Sequence, residues 1–316
     1  MKLHFDKVAF EMLIKEISSK NGVRQEVLEK DYYVTLLLFE LSQFENQGFA
    51  YFKGGTALYK ALRSIQRFSE DIDLTIHIDD CPNPSQAKKR LENSTLKFGC
   101  MPRGNVLENK KGSINCEYLY TSLYEIDEYD ALDRYGKVKV EGTSFTISEP
   151  VSEVKIAPHL YELCSDSQKR ILEELYDVKP FIIKTISIER IFIDKIFASE
   201  FYFERDDFSD VSKHVYDLTI LMQNAQIIDF LNNRDKLIKI VELKRKEELI
   251  RKGGVDAKMK VATFPFLTRL INNKAFEDEF ARMQRIYVFK KEDFLSLENV
   301  NESISKIASV FERIDC

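Results

Sequence analysis

The chain has 316 residues, 44% of them apolar and 31% charged. That is roughly two domains' worth of soluble globular protein, long enough to bury a core without disulfides or a structural metal. Lys and Arg total 47 against 52 Asp and Glu, a net charge of −5, which disfavours a uniformly basic nucleic-acid coat but leaves a local basic patch open.

The first residues, Met1 to Asp6, are charged at once, and no apolar core of signal-peptide length follows. The most apolar early stretch, Tyr32 to Phe39, is far short of the ~20 residues that span a bilayer. The expectation is a cytoplasmic protein with no membrane partner. Five cysteines (Cys81, Cys100, Cys116, Cys164, Cys316) include no CxxC pair, and the four histidines form no HExxH. A disulfide framework or zinc site is therefore not expected, and a metal here would be held by carboxylates, which suits Mg²⁺ or Mn²⁺.

Taken in chain order, residues 6–47 predict two helices broken near Gly22. Tyr51-Phe52-Lys53 makes a short strand, and Thr56 to Ile65 a helix with Thr56 as its N-cap. From Asp71 to Ile78 the residues alternate: Ile72, Leu74, Ile76 and Ile78 fall on one face, and Asp71, Asp73, Thr75 and His77 on the other. That predicts a strand with a polar working face. Residues 81–115 are rich in Pro, Asn and Gly around a helix near 85–97. Residues 116–149 look like a β meander, within which 136–141 alternate strictly. From Ser165 the chain turns mostly helical, clearest over 187–204 and 211–223. A long charged helix is expected over 226–252, stopping at Gly253-Gly254.

The chemistry concentrates in Lys53-Gly54-Gly55-Thr56-Ala57-Leu58 and Arg67-Phe68-Ser69-Glu70-Asp71-Ile72-Asp73-Leu74. Two glycines between a strand and a helix let the backbone approach a ligand closely. The N–H groups at the helix start favour a phosphate, and Thr56 adds a hydroxyl donor. Asp71 and Asp73, two apart on a strand, send both carboxylates to one face. Such a pair can hold a divalent cation that orients a nucleoside triphosphate. Gly-Gly alone is usually just a turn, and DxD alone a solvated strand edge. The strand–Gly-Gly–helix–strand order makes the combination specific for nucleotidyl or phosphoryl transfer.

These two runs resemble the AbiEii/AbiGii-type nucleotidyltransferase toxins of abortive-infection and type IV toxin–antitoxin systems. Leu28-Glu29-Lys30-Asp31-Tyr32-Tyr33 is similar to the run that precedes the core in that family. The resemblance spans about 26–222 and is weak over 223–316. It implies an α+β fold: a polymerase-β-like core with a mixed sheet over 50–165, N-terminal helices over 1–49 packed on it, and a helical domain over 166–316. It also implies Mg²⁺ (or Mn²⁺), an NTP substrate, an acceptor such as the 3′ end of tRNA, and a separately encoded antitoxin.

Residue by residue, the resemblance makes Asp71 and Asp73 the metal carboxylates. Glu141, ending Val138-Lys139-Val140-Glu141, is either a third ligand or an ordinary strand-end glutamate. Lys53, Gly54, Gly55 and Thr56 would hold phosphates. Lys195, in Asp194-Lys195, would contact nucleotide phosphate, with Asp217 of Tyr216-Asp217-Leu218 supporting it. A lysine amid Ile191, Phe192, Ile193, Ile196 and Phe197 needs an anion or a route to water. Ser69 is a phosphate contact, an autophosphorylation site or a turn-shaping hydroxyl. Arg67 either contacts phosphate or faces solvent. Where the family often carries Arg-Asp, this chain has Lys213-His214.

Residues 234–260 hold ten basic and five acidic residues, a net +5, and the remainder of the chain is −10. A basic helix beside an acidic metal site suits an RNA substrate, although a charge run is commonly a solvated helix face. Phe201, Tyr202 and Phe203 either stack a base or pack between helices. The expected function is a metal-dependent nucleotidyltransferase toxin. Two alternatives stand beside it: transfer onto a protein hydroxyl, possibly Ser69 itself, and a non-catalytic binding module on the same fold.

Overall fold

The computed structural model describes residues 1–43, 48–110, 112–124, 135–146, 150–251 and 253–314. Lys252, Cys316 and the 125–134 and 147–149 parts of the expected meander lie outside the described residues. Two compact units are present: Met1–Ala61 with Glu70–Thr185, and Leu62–Ser69 with Ile186–Cys316.

The first unit opens with α1 (Lys7–Asn21). Asp6 caps it, accepting from the Ala9 N–H at 3.0 Å, and Gly22 ends it at φ 70°. Phe10, Ile14 and Ile17 recur at helical spacing and are buried. Helix α2 (Gln25–Gln43) is buried from Val27 to Leu38, including the consecutive Glu29, Lys30 and Asp31.

A seven-stranded mixed sheet follows, in the order β3-β4-β5-β2-β1-β7-β6. Its strands are β1 (Ala50–Lys53), β2 (Ile72–Ile76), β3 (Arg103–Lys110), β4 (Ser113–Leu119), β5 (Lys137–Thr143), β6 (Val151–Ile156) and β7 (Phe181–Ile186). Strand β1 runs antiparallel to β2 and parallel to β7, and β2 runs parallel to β5. The fold is α+β. Because side chains alternate along a strand, one face carries the fully buried Phe52, Ile72, Leu74 and Val140. The other carries Lys53, Asp73 and Glu141.

Helix α4 (Pro84–Leu96) covers the apolar face and packs on β4 and β5. A Cβ on Gly142 would lie 2.2 Å from the Thr95 methyl, so the glycine permits the close approach of α4 next to Glu141. Short helices α5 (His159–Leu163) and α6 (Asp166–Tyr176) complete the unit.

The second unit is built from α7 (Ile188–Phe203), α8 (Phe208–Leu221), α9 (Ala225–Asn232), α10 (Arg234–Ile250), α11 (Pro265–Arg269), α12 (Lys274–Tyr287) and α13 (Leu297–Ile314). The segment around Arg67 is stitched to the end of α12. Phe68 N–H donates to the Tyr287 carbonyl at 2.8 Å and Phe289 N–H to the Gln66 carbonyl at 3.3 Å. No helix among the described residues is long and apolar enough to cross a membrane.

Four local expectations are corrected. The helix after β1 begins at Gly54, not Thr56. It forms one α turn, α3 (Gly54–Thr56), then a π turn over Ala57–Ala61, and stops short of Ile65. Lys53 is the N-cap residue, so Thr56 lies inside the helix. Strand β3 falls in a stretch whose Pro, Asn and Gly content predicts loop. It is mostly exposed, so it shows no apolar alternation. Strand β7 falls where mostly helix is expected. Finally, the long charged helix is two, because Asn233 leaves helical geometry and caps α10 by accepting from the Lys236 N–H at 3.0 Å.

Replacing Gly142 by valine should cost about 1–3 kcal/mol through overpacking against Thr95 and Leu91. Urea denaturation would show a lower midpoint at unchanged slope.

Candidate active site

The site in the first unit is defined by strand register. Lys53 pairs with Asp73 across β1 and β2, and Asp73 pairs with Glu141 across β2 and β5. One row across three neighbouring strands therefore reads Lys53, Asp73, Glu141, and β4 extends it with Asn115. Asp71 immediately precedes β2 and is exposed, whereas Asp73 and Glu141 are half-buried.

Gly54 sits directly beneath this row. Its φ of 76° is one that side chains rarely adopt, and a Cβ there would lie 2.0 Å from Asp73 Oδ2. The Asp73 carboxylate thus rests against bare backbone at the start of α3. Gly55 and Thr56 are buried in that turn, and the Lys53 side chain does not cap it. Instead Lys53 Nζ donates to Thr143 Oγ1 at 3.1 Å.

A hydroxyl ladder adjoins the row. Thr146 Oγ1 lies 2.9 Å from both Thr75 Oγ1 and Thr143 Oγ1. Sequence reasoning missed Thr143 and Thr146. The available signal was that Thr75 and Thr143 each stand two residues after a site carboxylate and so share its face.

The donor set suits a hard divalent cation, since carboxylates and hydroxyls are oxygen ligands. The volume that a side chain at Gly54 would fill is taken by the Asp73 carboxylate itself. Among the described residues, however, no three His, Cys, Asp or Glu side chains are gathered closely enough to hold a metal by themselves. Such an ion would complete its shell with oxygens from elsewhere, as Mg²⁺ commonly does with water and substrate phosphate.

The second unit holds the other group of expected residues. Arg67 clasps Asp217 with two bonds of 2.7 Å, Nε to Oδ1 and Nη2 to Oδ2. Lys195 Nζ lies 2.9 Å from Asp217 Oδ2 and 3.2 Å from His214 Nδ1. Asp217 is 0% exposed and Arg67 3%. Arg67 therefore does not face solvent, and its fork is committed to Asp217. Burial alone would raise the Asp217 pKa, but Arg67 and Lys195 outweigh it and hold the carboxyl below the usual range. Burial, then Lys195, Arg67 and Lys213, push His214 well below its ordinary value. The imidazole is neutral, and Nδ1 accepts from the ammonium because lysine can only donate. Tyr202 stacks on this ring at 5.5 Å. Ser69 is half-buried at the end of the Leu62–Ser69 segment.

Much of the basic segment is internally matched. Lys244 is buried among Asp194, Glu247 and Glu248 at 3.5, 3.3 and 2.8 Å. Arg190 pairs with Asp194 and Glu247. Lys236 pairs with Glu189 at 2.5 Å, and Arg245 donates to the Ala257 carbonyl. The +5 is thus not one solvated stripe. Arg234, Lys239, Lys246, Lys258 and Lys260 remain exposed. Phe201 carries the guanidinium groups of Arg205 and Arg251 at 3.7 and 4.2 Å from its centroid.

A strand–Gly-Gly–helix–strand site with carboxylates in register on a mixed sheet defines an α+β protein of nucleotidyltransferase type. The chain belongs to the family described as nucleotidyl transferase AbiEii toxin of type IV toxin–antitoxin systems, whose profile matches residues 36–307. The match reaches well beyond residue 222, correcting the expectation that the resemblance fades there.

Among solved structures, the chain is similar to MenT4, a nucleotidyltransferase toxin of Mycobacterium tuberculosis H37Rv, at 14% identity and a TM-score of 0.49, over 96% of this chain and 98% of that one. It is also similar to JHP933 of Helicobacter pylori, at 13% identity and a TM-score of 0.46, over 93% of this chain and 95% of that one. Among curated proteins none matches the sequence.

Two predictions follow from this geometry. Gly54→Ala should displace the Asp73 carboxylate, because the new methyl occupies its position and the backbone is strained by about 1 kcal/mol or more. A crystal structure of the variant with Asp73 unmoved would contradict this. The second concerns pH. His214 has a depressed folded pKa, so its neutral form contributes stability that is complete above about 6.5 and is lost as pH falls below it. Asp217, also depressed, contributes stability present above about 3.8 and lost below. Urea titrations of His214→Gln from pH 7 to 5 should lack a slope of up to about 1.4 kcal/mol per pH unit seen in the parent.

Proposed function

We propose that this toxin-family protein is a metal-dependent nucleotidyltransferase that moves a nucleotide from an NTP to an acceptor hydroxyl, with the 3′ end of tRNA as the acceptor. The observation that carries the reading is the register of Asp73 with Glu141, set against the bare backbone of Gly54. Asp71 and Asp73 would hold Mg²⁺ or Mn²⁺, with substrate phosphate and water completing its shell and Glu141 next to Asp73 in register. When bound, that ion supplies charge neutralisation and in-line orientation of the triphosphate.

The protein's own residues do the rest. The backbone of Gly54 and Gly55 and the hydroxyl of Thr56 cradle phosphate oxygens, and Lys53 sits at the rim held by Thr143. An acceptor oxygen attacks the α-phosphorus, the bond to the β-phosphate bridge breaks, and pyrophosphate leaves. On the resemblance alone, Lys195 is the cation that meets triphosphate charge. The ion pair and the neutral imidazole around it keep that ammonium in one place. The exposed Arg234, Lys239, Lys246, Lys258 and Lys260 supply phosphate contacts for a polynucleotide. Family membership implies a cognate antitoxin.

Incubating the protein with total RNA and each labelled NTP in turn tests the reaction and names both substrates. Label should enter tRNA in the presence of Mg²⁺ and vanish with Asp71→Ala/Asp73→Ala, a loss of at least about 100-fold for removing the charge-stabilising groups. The same double variant should no longer arrest growth on expression. Undiminished arrest would sink the catalytic reading, and label on the protein with none on RNA would replace the acceptor.

A further inference from the structure

The run Glu29-Lys30-Asp31, just ahead of the stretch that the family profile matches, has no role in the reaction proposed above. We propose that Lys30 and Asp31 of α2 are positioning residues that clamp the two loops of the nucleotide site, an inference that rests on that functional reading. Three consecutive residues of a helix point about 100° apart, so each reaches a different segment. All three are buried: Glu29 at 0%, Lys30 at 2% and Asp31 at 1% exposure.

Glu29 anchors the helix, accepting from Ser122 Oγ and Leu123 N–H, both at 2.7 Å. Lys30 Nζ pairs with Glu70 Oε2 at 3.1 Å, and Glu70 is joined by one peptide bond to Asp71. Asp31 uses both oxygens. Oδ1 accepts from Lys60 Nζ at 2.7 Å and Tyr59 OH at 3.2 Å, while Oδ2 accepts from the His159 N–H at 2.6 Å. Lys60 also donates to the Ala157 carbonyl at 3.1 Å. Tyr59 and Lys60 lie in the π turn that continues the Gly54–Thr56 helix. One helix therefore grips the approach to the carboxylate pair with one residue and the phosphate-loop helix with the next.

Stability does not require charges here. A buried ion pair costs several kcal/mol per ion in desolvation, and apolar packing often serves as well. What charge-assisted bonds add is direction. The Lys60–Asp31 hydrogen bond fixes where Lys60 sits, the Lys30–Glu70 ion pair keeps Glu70 against α2 by attraction of opposite charges, and the backbone N–H groups and carboxylates next in the chain are held with them. Residues that hold ligands from behind in this way are typically worth 10–100-fold in metal affinity.

The test uses the full chain and two readouts. Hydrogen exchange should quicken over residues 69–74 in Lys30→Met, with 54–61 unchanged, and over 54–61 in Asp31→Asn. Manganese binding, measured by calorimetry, should weaken about tenfold or more in Lys30→Met and return to within about threefold of the parent in Lys30→Arg. Should the single change fail to fold, Lys30→Met/Glu70→Met removes both charges together and should fold while still binding Mn²⁺ weakly. Uniform exchange across both segments, or Mn²⁺ affinity within twofold of the parent in a folded variant, overturns the clamp. A different result marks failure of the functional reading: Mn²⁺ binding unchanged by Asp71→Asn/Asp73→Asn, with the exchange pattern still as described.

Discussion

The contact between Gly54 and Asp73 governs the first unit. A carboxylate can sit on backbone only where no Cβ intervenes, and the left-handed φ of Gly54 turns the chain from β1 into α3 at that point. The register of β1 with β2 then sets Lys53 beside Asp73, and the parallel pairing of β2 with β5 sets Glu141 on the other side. Because side-chain direction has period two, a slip of one residue would turn every member of this row into the apolar core. The buried Phe52, Ile72, Leu74 and Val140 forbid that slip. The core on one face of the sheet thus specifies the polar chemistry on the other.

Each unit holds a buried carboxylate satisfied by several donors. In the first, Asp31 receives three donors. In the second, Asp217 receives Arg67 twice and Lys195 once. Desolvating such groups is expensive, and breaking one partner of a buried pair commonly costs about 3–5 kcal/mol. The consequence is rigidity. A lysine held by a carboxylate and a neutral imidazole has few rotamers open to it, although a free lysine has many. A histidine at position 214 fits this arrangement. An added carboxylate would bring negative charge to a cluster whose Asp217 already answers Arg67 and Lys195. A neutral ring accepts a hydrogen bond at Nδ1 and adds no charge.

The elements legible in the sequence were those with a strong period or a strong stop. Helices α1, α7 and α8 follow apolar spacing, and β2 follows strict alternation between Ile72 and Ile76. The carboxylate pair and the double glycine were legible because their residue types and order are rare in combination. Strand β3 was not, since an exposed edge strand has no buried face to impose a pattern. Nor was the break at Asn233, where the helical period of the apolar residues continues across a cap. Pairings between distant residues were hidden for a different reason. Nothing in Arg67 or Asp217 alone announces a partner 150 positions away, and a charged residue reads as surface until the fold supplies its counterion.

The charge ledger shows the same limit at larger scale. Summed along the sequence, residues 234–260 form a basic block against an acidic remainder. In three dimensions Lys244, Glu247 and Glu248 turn inward and neutralise one another together with Arg190 and Asp194. Glu189 answers Lys236 from α7. Among the described basic residues of the segment, Arg234, Lys236, Lys239, Lys246, Lys258 and Lys260 are exposed, spread over α10 and the segment after it. Phosphate contacts from such dispersed lysines and arginines carry affinity without reading sequence. For the RNA acceptor proposed above, choice among acceptors would come from shape or from the reacting end, where the proposed Asp71, Asp73 and Gly54 turn lie, and not from the charge of the helix.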